Sequence, residues 1–148
     1  MHGLLLGHDE LVSEWAFKTY RIFKMPVNRA IGIVDNNGIH GAIILQNYNG
    51  FNIELSYYGE NTLSPGIVHS IARIVVNEFN ASRLTVTTNK RNRGLIVGLG
   101  KLGFRLEGAQ RCYYGRNDCD RNTGVRLVMF RERLDKLAGI THEEEKAN

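Results

Sequence analysis

Two Asn-Gly dipeptides, Asn37-Gly38 and Asn49-Gly50, separate three apolar, strand-like segments at about Arg29 to Val34, Ile39 to Asn47 and Phe51 to Tyr58. Asn-Gly supplies the positive φ angles that tight hairpins demand, so its double occurrence between such segments predicts an antiparallel meander. This is the strongest local constraint in the chain, and the other elements are placed around it.

Ahead of the meander, Leu4 to Leu6 reads as a short strand. Asp9 can cap a helix whose apolar Leu11, Val12, Trp15 and Ile22 recur at helical spacing, with Trp15 in the core. Behind it, Ser64-Pro65 is a helix start: a hydroxyl to cap free N–H groups, then a proline where no donor is missed. Ile67, Val68, Ile71, Ile74, Val75 and Phe79 form one apolar stripe on that helix. Leu84 to Thr88, Phe104 to Tyr114 and Val125 to Phe130 read as strands, the last two flanking a polar turn from Arg116 to Gly124.

Between them, Gly98-Leu-Gly100-Lys-Leu-Gly103 spells the G-x-G-x-x-G of a dinucleotide-binding loop. That motif needs a strand before the glycines and a helix after them. The residues after Gly103 lack helical periodicity, so the fingerprint fails on context. A helix over Asn92 to Leu102 instead puts Leu95, Ile96, Leu99 and Leu102 on one face, with Gly103 as a left-handed terminator. Three internal glycines each cost such a helix about 1 kcal/mol against alanine, so it requires tertiary packing.

With 148 residues, 43% hydrophobic and 23% charged, the chain suits one globular domain, expected over residues 1–140, followed by a disordered tail at 141–148. No apolar run approaches the length that spans a bilayer, and the opening segment does not read as a secretion signal, so the cytoplasm is the expected compartment. Cys112 and Cys119 read as plain thiols, and no metal is expected. Residues 81–136 hold thirteen Lys and Arg against five Asp and Glu, whereas residues 1–80 hold five against seven. The basic half is either a solvated surface or the face of an anionic partner, nucleic acid or a phosphorylated cofactor.

The order strand, helix, meander, capped helix, strand, helix, strand, strand, together with Asn92, Lys101-Leu-Gly-Phe104, Glu107-Gly108 and Arg111, resembles the GNAT superfamily of N-acetyltransferases. Within it, these residues resemble the branch that includes ribosomal-protein N-terminal acetyltransferases and phage-encoded relatives. Phe51-Asn-Ile-Glu-Leu-Ser56 resembles that branch's fourth strand. The resemblance implies an α+β fold: a mostly antiparallel twisted sheet with one splayed parallel pair, here Phe51 to Tyr58 and Leu84 to Thr88, flanked by helices. It also implies direct transfer of an acetyl group from acetyl-CoA to a primary amine of a protein or small molecule.

On that resemblance, Glu54 is the base. Strand alternation puts it with Asn52, Ser56 and Tyr58 on one face, opposite Ile53, Leu55 and Tyr57. Backbone N–H groups near Ser56, Tyr57 and Tyr58 hold the thioester carbonyl. The diphosphate falls on the turn into the Ser64-capped helix, with Asn61, Leu63, Ser64, Gly66 and Ile67 as cofactor-binding residues, because a helix N-terminus favours an anion. Of the family's Q/R-x-x-G-x-G/A signature, the register Asn61 to Gly66 keeps the final glycine.

Asn92 corresponds to the asparagine that bonds the pantetheine arm, and Lys90, Arg91 and Arg93 are placed to meet the adenosine 3′-phosphate. Leu99 stands where many family members carry a tyrosine acid, which leaves Tyr113, Tyr114 or solvent to protonate the thiolate. A second reading is a catalytically inactive module of the same fold that binds nucleic acid or a partner protein through its basic half. Monomer and homodimer are both compatible with the sequence.

Overall fold

The computed structural model describes residues 3–59 and 64–140. The chain runs β1 (Gly3–Leu5), α1 (Asp9–Tyr20), β2 (Arg29–Asp35), β3 (Gly38–Gln46), β4 (Asn52–Gly59), α2 (Pro65–Asn77) and β5 (Arg83–Asn89). It continues through α3 (Arg93–Leu102), β6 (Arg105–Gln110), a 3-10 turn at Asp120–Asn122, β7 (Gly124–Phe130) and α4 (Arg131–Ala138). The strands form one sheet in the order β1-β2-β3-β4-β5-β7-β6. Every pairing is antiparallel except β4 with β5. This is the α+β architecture that the element order implies.

The meander forms, with a two-residue turn between β2 and β3 and a longer connection between β3 and β4. Between β2 and β3 the positive φ lies at Gly38, not Asn37, and the Asp35 carboxylate accepts the Asn37 N–H at 2.7 Å. Between β3 and β4 the connection is five residues long, with positive φ at Asn47 and Gly50. There the Asn49 side chain accepts from the N–H groups of Phe51 and Asn52. Both turns are set by side chains that mimic a backbone acceptor.

Asp9 is the first residue of α1 rather than its cap, and His8 at the cap position makes no side-chain capping bond. The Asp9 carboxylate is used across the fold instead, accepting from the backbone N–H of Ala30 at 2.9 Å and from the Arg29 guanidinium at 3.1 Å. The buried face of α1 is Val12, Ala16 and Phe17. Leu11 is exposed and Trp15 only flanks the core. Helix α2 follows its signals: Ser64 caps it by accepting from Ile67 N–H, Pro65 opens it, and Ile71, Ala72, Val75 and Val76 are buried.

Helix α4 is absent from the sequence expectation, although Leu134, Leu137 and Ala138 at helical spacing before Gly139 were its signal. It packs on α2 and is fixed by Arg131, which bonds Asp135, Asn80 and the Ala81 carbonyl.

The helices cover the two sheet faces unequally. On one face the main core joins Ile31, Ile43, Leu45, Ile53, Leu127 and Met129 to α2, α3 and α4. Burying each of those large side chains contributes about 1.5–3 kcal/mol. On the other face a smaller cluster of Val12, Ala16, Ala30, Ala42 and Ile44 lies between α1 and the first three strands. The strongest contacts of α1 are to β2 and β3, and Tyr20 at its C-terminal end reaches Tyr58 on β4.

Candidate functional site

Strands β4 and β5 pair in parallel from Asn52↔Arg83 to Leu55↔Val86, and there the pairing stops. Both strands continue. β4 runs on to Gly59, still paired with β3 as far as Gly41↔Gly59, and β5 runs on to Asn89, still paired with β7 as far as Gly124. The two strands therefore diverge into a V, which leaves the β5-facing backbone groups of β4 without a strand partner over residues 56–59. A V of this kind, in the middle of a sheet, is a cleft with free N–H donors on one wall.

On the sheet face that carries α1, the cleft floor is polar. Glu54 reaches from β4 across β5 to Arg126 on β7, which donates to Glu54 Oε1, while Asn47 Nδ2 donates to Oε2 at 2.8 Å. The two charged side chains are 26% and 29% exposed, so the pair is held largely out of water but open on one side. Gln46 is the cross-strand neighbour of Glu54. Among the described residues, the Oε1 atoms of Gln46 and Gln110 and the Nε of Arg126 are buried without a hydrogen-bond partner.

Tyrosines border this floor. Tyr58, on the same face of β4 as Glu54 and Ser56, packs against Tyr20 at the end of α1, with ring centroids 5.5 Å apart. Tyr113 and Tyr114, from the β6–β7 connection, meet edge to face at 4.8 Å. The Tyr113 ring lies over Gly124 beside Thr87: a Cβ at Gly124 would stand 3.1 Å from that ring and 3.2 Å from the Thr87 methyl. Burial raises the phenol pKa of Tyr58, against a lowering by its bond to Ser56, and Tyr113 adds to the rise. Burial pushes Tyr114 up to about 12, with Tyr113 and Tyr58 contributing.

Of the residues assigned from the sequence, Glu54 and Ser56 lie on the cleft face of β4 together with Tyr58. The Tyr57 side chain lies on the opposite face, against the main core, and burial raises its pKa, so only its backbone belongs to the cleft. Asn61 and Leu63 fall outside the described residues. Ser64, Gly66 and Ile67 form the first turn of α2, where the Ser64 hydroxyl already accepts the Ile67 N–H at 3.3 Å. Asn92 caps α3 by accepting from Leu95 N–H, and Arg91 and Arg93 beside it are exposed. Lys90 is paired with Asp120 at 3.1 Å.

The glycines of α3 face open space: a Cβ at Gly94, Gly98 or Gly100 meets nothing within 4 Å. Gly103 ends the helix in the left-handed conformation at φ 114°.

Sequence reasoning did not find Arg126, Gln46 or Tyr20. Only strand register brings them to the cleft, and a lone arginine in an apolar strand was the one available signal.

No family model and no curated protein matches the sequence. Solved structures do match by fold. A GNAT-family acetyltransferase from Streptococcus pneumoniae aligns with a TM-score of 0.65 at 12% identity, covering 88% of this chain and 99% of that one. The ribosomal-protein-S5-alanine acetyltransferase of Vibrio fischeri aligns at 0.63 with 16% identity over 87% and 91%. A chimeric spermidine N-acetyltransferase built from Vibrio cholerae SpeG and hSSAT aligns at 0.61 with 14% identity over 73% and 71%. A seven-stranded mixed sheet, a single parallel pair splayed at its centre and four helices give this chain the GNAT acetyltransferase fold.

Proposed function

We propose that the protein is an acetyl-CoA-dependent N-acetyltransferase that acetylates a primary amine. The observation that carries this reading is the end of β4–β5 pairing at Leu55↔Val86 with both strands continuing, because it leaves unpaired backbone donors beside a cleft floored by a fixed carboxylate. Acetyl-CoA supplies the acetyl group as a thioester. In the reaction a C–N bond to the amine forms and the C–S bond breaks. The amine loses a proton, and the thiolate gains one.

Glu54 receives the amine proton, directly or through a water. Its carboxylate is oriented for that by Arg126 and Asn47. Backbone N–H groups over Ser56, Tyr57 and Tyr58 stabilise charge on the carbonyl oxygen, a task that needs no particular side chain. The free N–H groups and partial positive charge at the Ser64-capped end of α2 suit a diphosphate, with Asn61 and Leu63 just before it in the sequence and Gly66 and Ile67 in the first turn. Asn92 bonds the pantetheine arm. Arg91 and Arg93, exposed beside it, meet the 3′-phosphate. Tyr113 or Tyr114 can return a proton to the thiolate.

Thermal unfolding with and without acetyl-CoA tests the reading. A rise in Tm that saturates with acetyl-CoA is expected, and no rise at millimolar concentration sinks it. A second reading, an inactive module that binds nucleic acid or a protein, is favoured by one observation. Arg91, Arg93, Lys101, Arg105, Arg116 and Arg121 have no acidic partner among the described residues. Salt-sensitive binding of nucleic acid by a protein that ignores acetyl-CoA is its signature.

A further inference from the structure

The charge and aromatic content of the cleft identify the kind of amine it takes. The described acidic side chains that β4, β6 and the β6–β7 connection bring to this half of the sheet are Glu54, Glu107, Asp118 and Asp120. Each is already bound to a cation: Glu54 to Arg126, Glu107 to Arg83, Asp118 to Arg111 and Asp120 to Lys90. The surrounding surface is in cationic excess, with Arg116 and Arg121 exposed on the same connection.

Among the described residues of this half of the sheet, a second ammonium on the acceptor would find no uncompensated carboxylate and would be repelled by the excess arginine. The walls offer rings instead. Tyr20 and Tyr58 stack on one side and Tyr113 and Tyr114 on the other, and Tyr20, Tyr113 and Tyr114 are exposed. Aromatic faces attract a single ammonium without a formal charge, and they bury an apolar body well.

We infer that the acceptor is a monoamine carried on an apolar or aromatic body, with no second cationic centre, held between the Tyr20–Tyr58 and Tyr113–Tyr114 walls above the Glu54–Arg126 pair. This inference rests on the transferase reading, since it names the acceptor of that same site. The spermidine acetyltransferase fold match carries no weight for this acceptor, because the described residues of the cleft offer no spare acidic group for a polyamine.

Three probes separate the contributions in the full-length protein, once acetyl-CoA binding has been established by its effect on Tm. Butylamine and putrescine differ by the second amine alone, and phenethylamine replaces the aliphatic body with a ring. The expected order of kcat/KM is phenethylamine, then butylamine, then putrescine, with at least about a tenfold gap between the last two, as one lost ion-pair-sized interaction gives. Tyr113→Ala, at an exposed position where folding is checked by Tm, should lower the phenethylamine-to-butylamine ratio by about threefold or more.

Faster acetylation of putrescine or spermidine than of butylamine overturns the inference and leaves the transferase reading standing. So does acetyl-CoA binding with none of the amines acetylated. No acetyl-CoA binding overturns the transferase reading itself.

Discussion

Glu54 and Arg126, 72 residues apart in sequence, form an ion pair that spans the intervening strand β5. Removing either partner leaves a largely buried charge, and that costs more than the pair itself contributes. Glu54→Gln and Arg126→Met should each lower stability by about 1–2 kcal/mol, and the double variant should lose less than the sum of the two. Denaturant titration of the four proteins checks this, and strict additivity would refute the coupling.

If Glu54 also accepts the amine proton, Glu54→Gln should cut turnover at least about tenfold, because general-base catalysis contributes that much or more. Acetyl-CoA binding, read by its Tm shift, should persist, since Glu54 lies on the cleft floor away from the α2 terminus. Equal loss of turnover and acetyl-CoA binding would assign the residue to architecture.

Tyr114 links the cleft to alkaline stability. Its phenol is held up to about 12 in the folded protein, from an ordinary value of 10.0, first by burial and then by Tyr113 and Tyr58. Between those values the folded state keeps a proton that the unfolded chain releases, so stability should fall as pH rises from 10 towards 12. Tyr114→Phe should flatten that part of the Tm profile, and tyrosinate absorbance should show a phenol titrating late. An unchanged profile in the variant would separate Tyr114 from the effect.

The open space around Gly98 permits a test of α3. A Cβ there meets nothing, and the helix is otherwise weakened by glycine. Gly98→Ala should therefore raise stability by about 0.5–1 kcal/mol, or Tm by about 2–4 °C. A loss of stability would mean that the glycine is needed for a contact.

Arg131 ties α4 to the α2–β5 connection and to Asp135, whose side chain is 5% exposed. Arg131→Ala should destabilise the fold by about 2 kcal/mol, since it strips a partner from a buried carboxylate whose arginine is itself partly solvated. Chemical denaturation measures it, and a change below about 0.5 kcal/mol would show that α4 is held by its apolar face alone.

Much of the fold was legible because its signals are local. Ser64-Pro65 opens α2, Asn92 and Gly103 bracket α3, apolar runs mark β2 and β3, and alternation marks β4. The Asn-Gly pairs located the turns without giving their geometry, because Asp35 and Asn49 supplied the turn-stabilising oxygens. Asp9 read as a cap from its position alone, yet its carboxylate bonds β2. Helix α4 was missed although Leu134, Leu137, Ala138 and Gly139 carried its pattern.

The sequence by itself determined the order of elements from β1 to β7, the caps of α2 and α3 and the apolar faces of α2 and β4, since φ preference, capping and periodicity act over a few residues. Only the tertiary structure decided that β4 and β5 part after Leu55 and Val86, that Glu54 is held by Arg126, and that Tyr20, Tyr58, Tyr113 and Tyr114 border one opening. Those facts depend on the register of four strands brought together from distant parts of the chain, and a one-residue slip in any of them would turn its side chains to the other face.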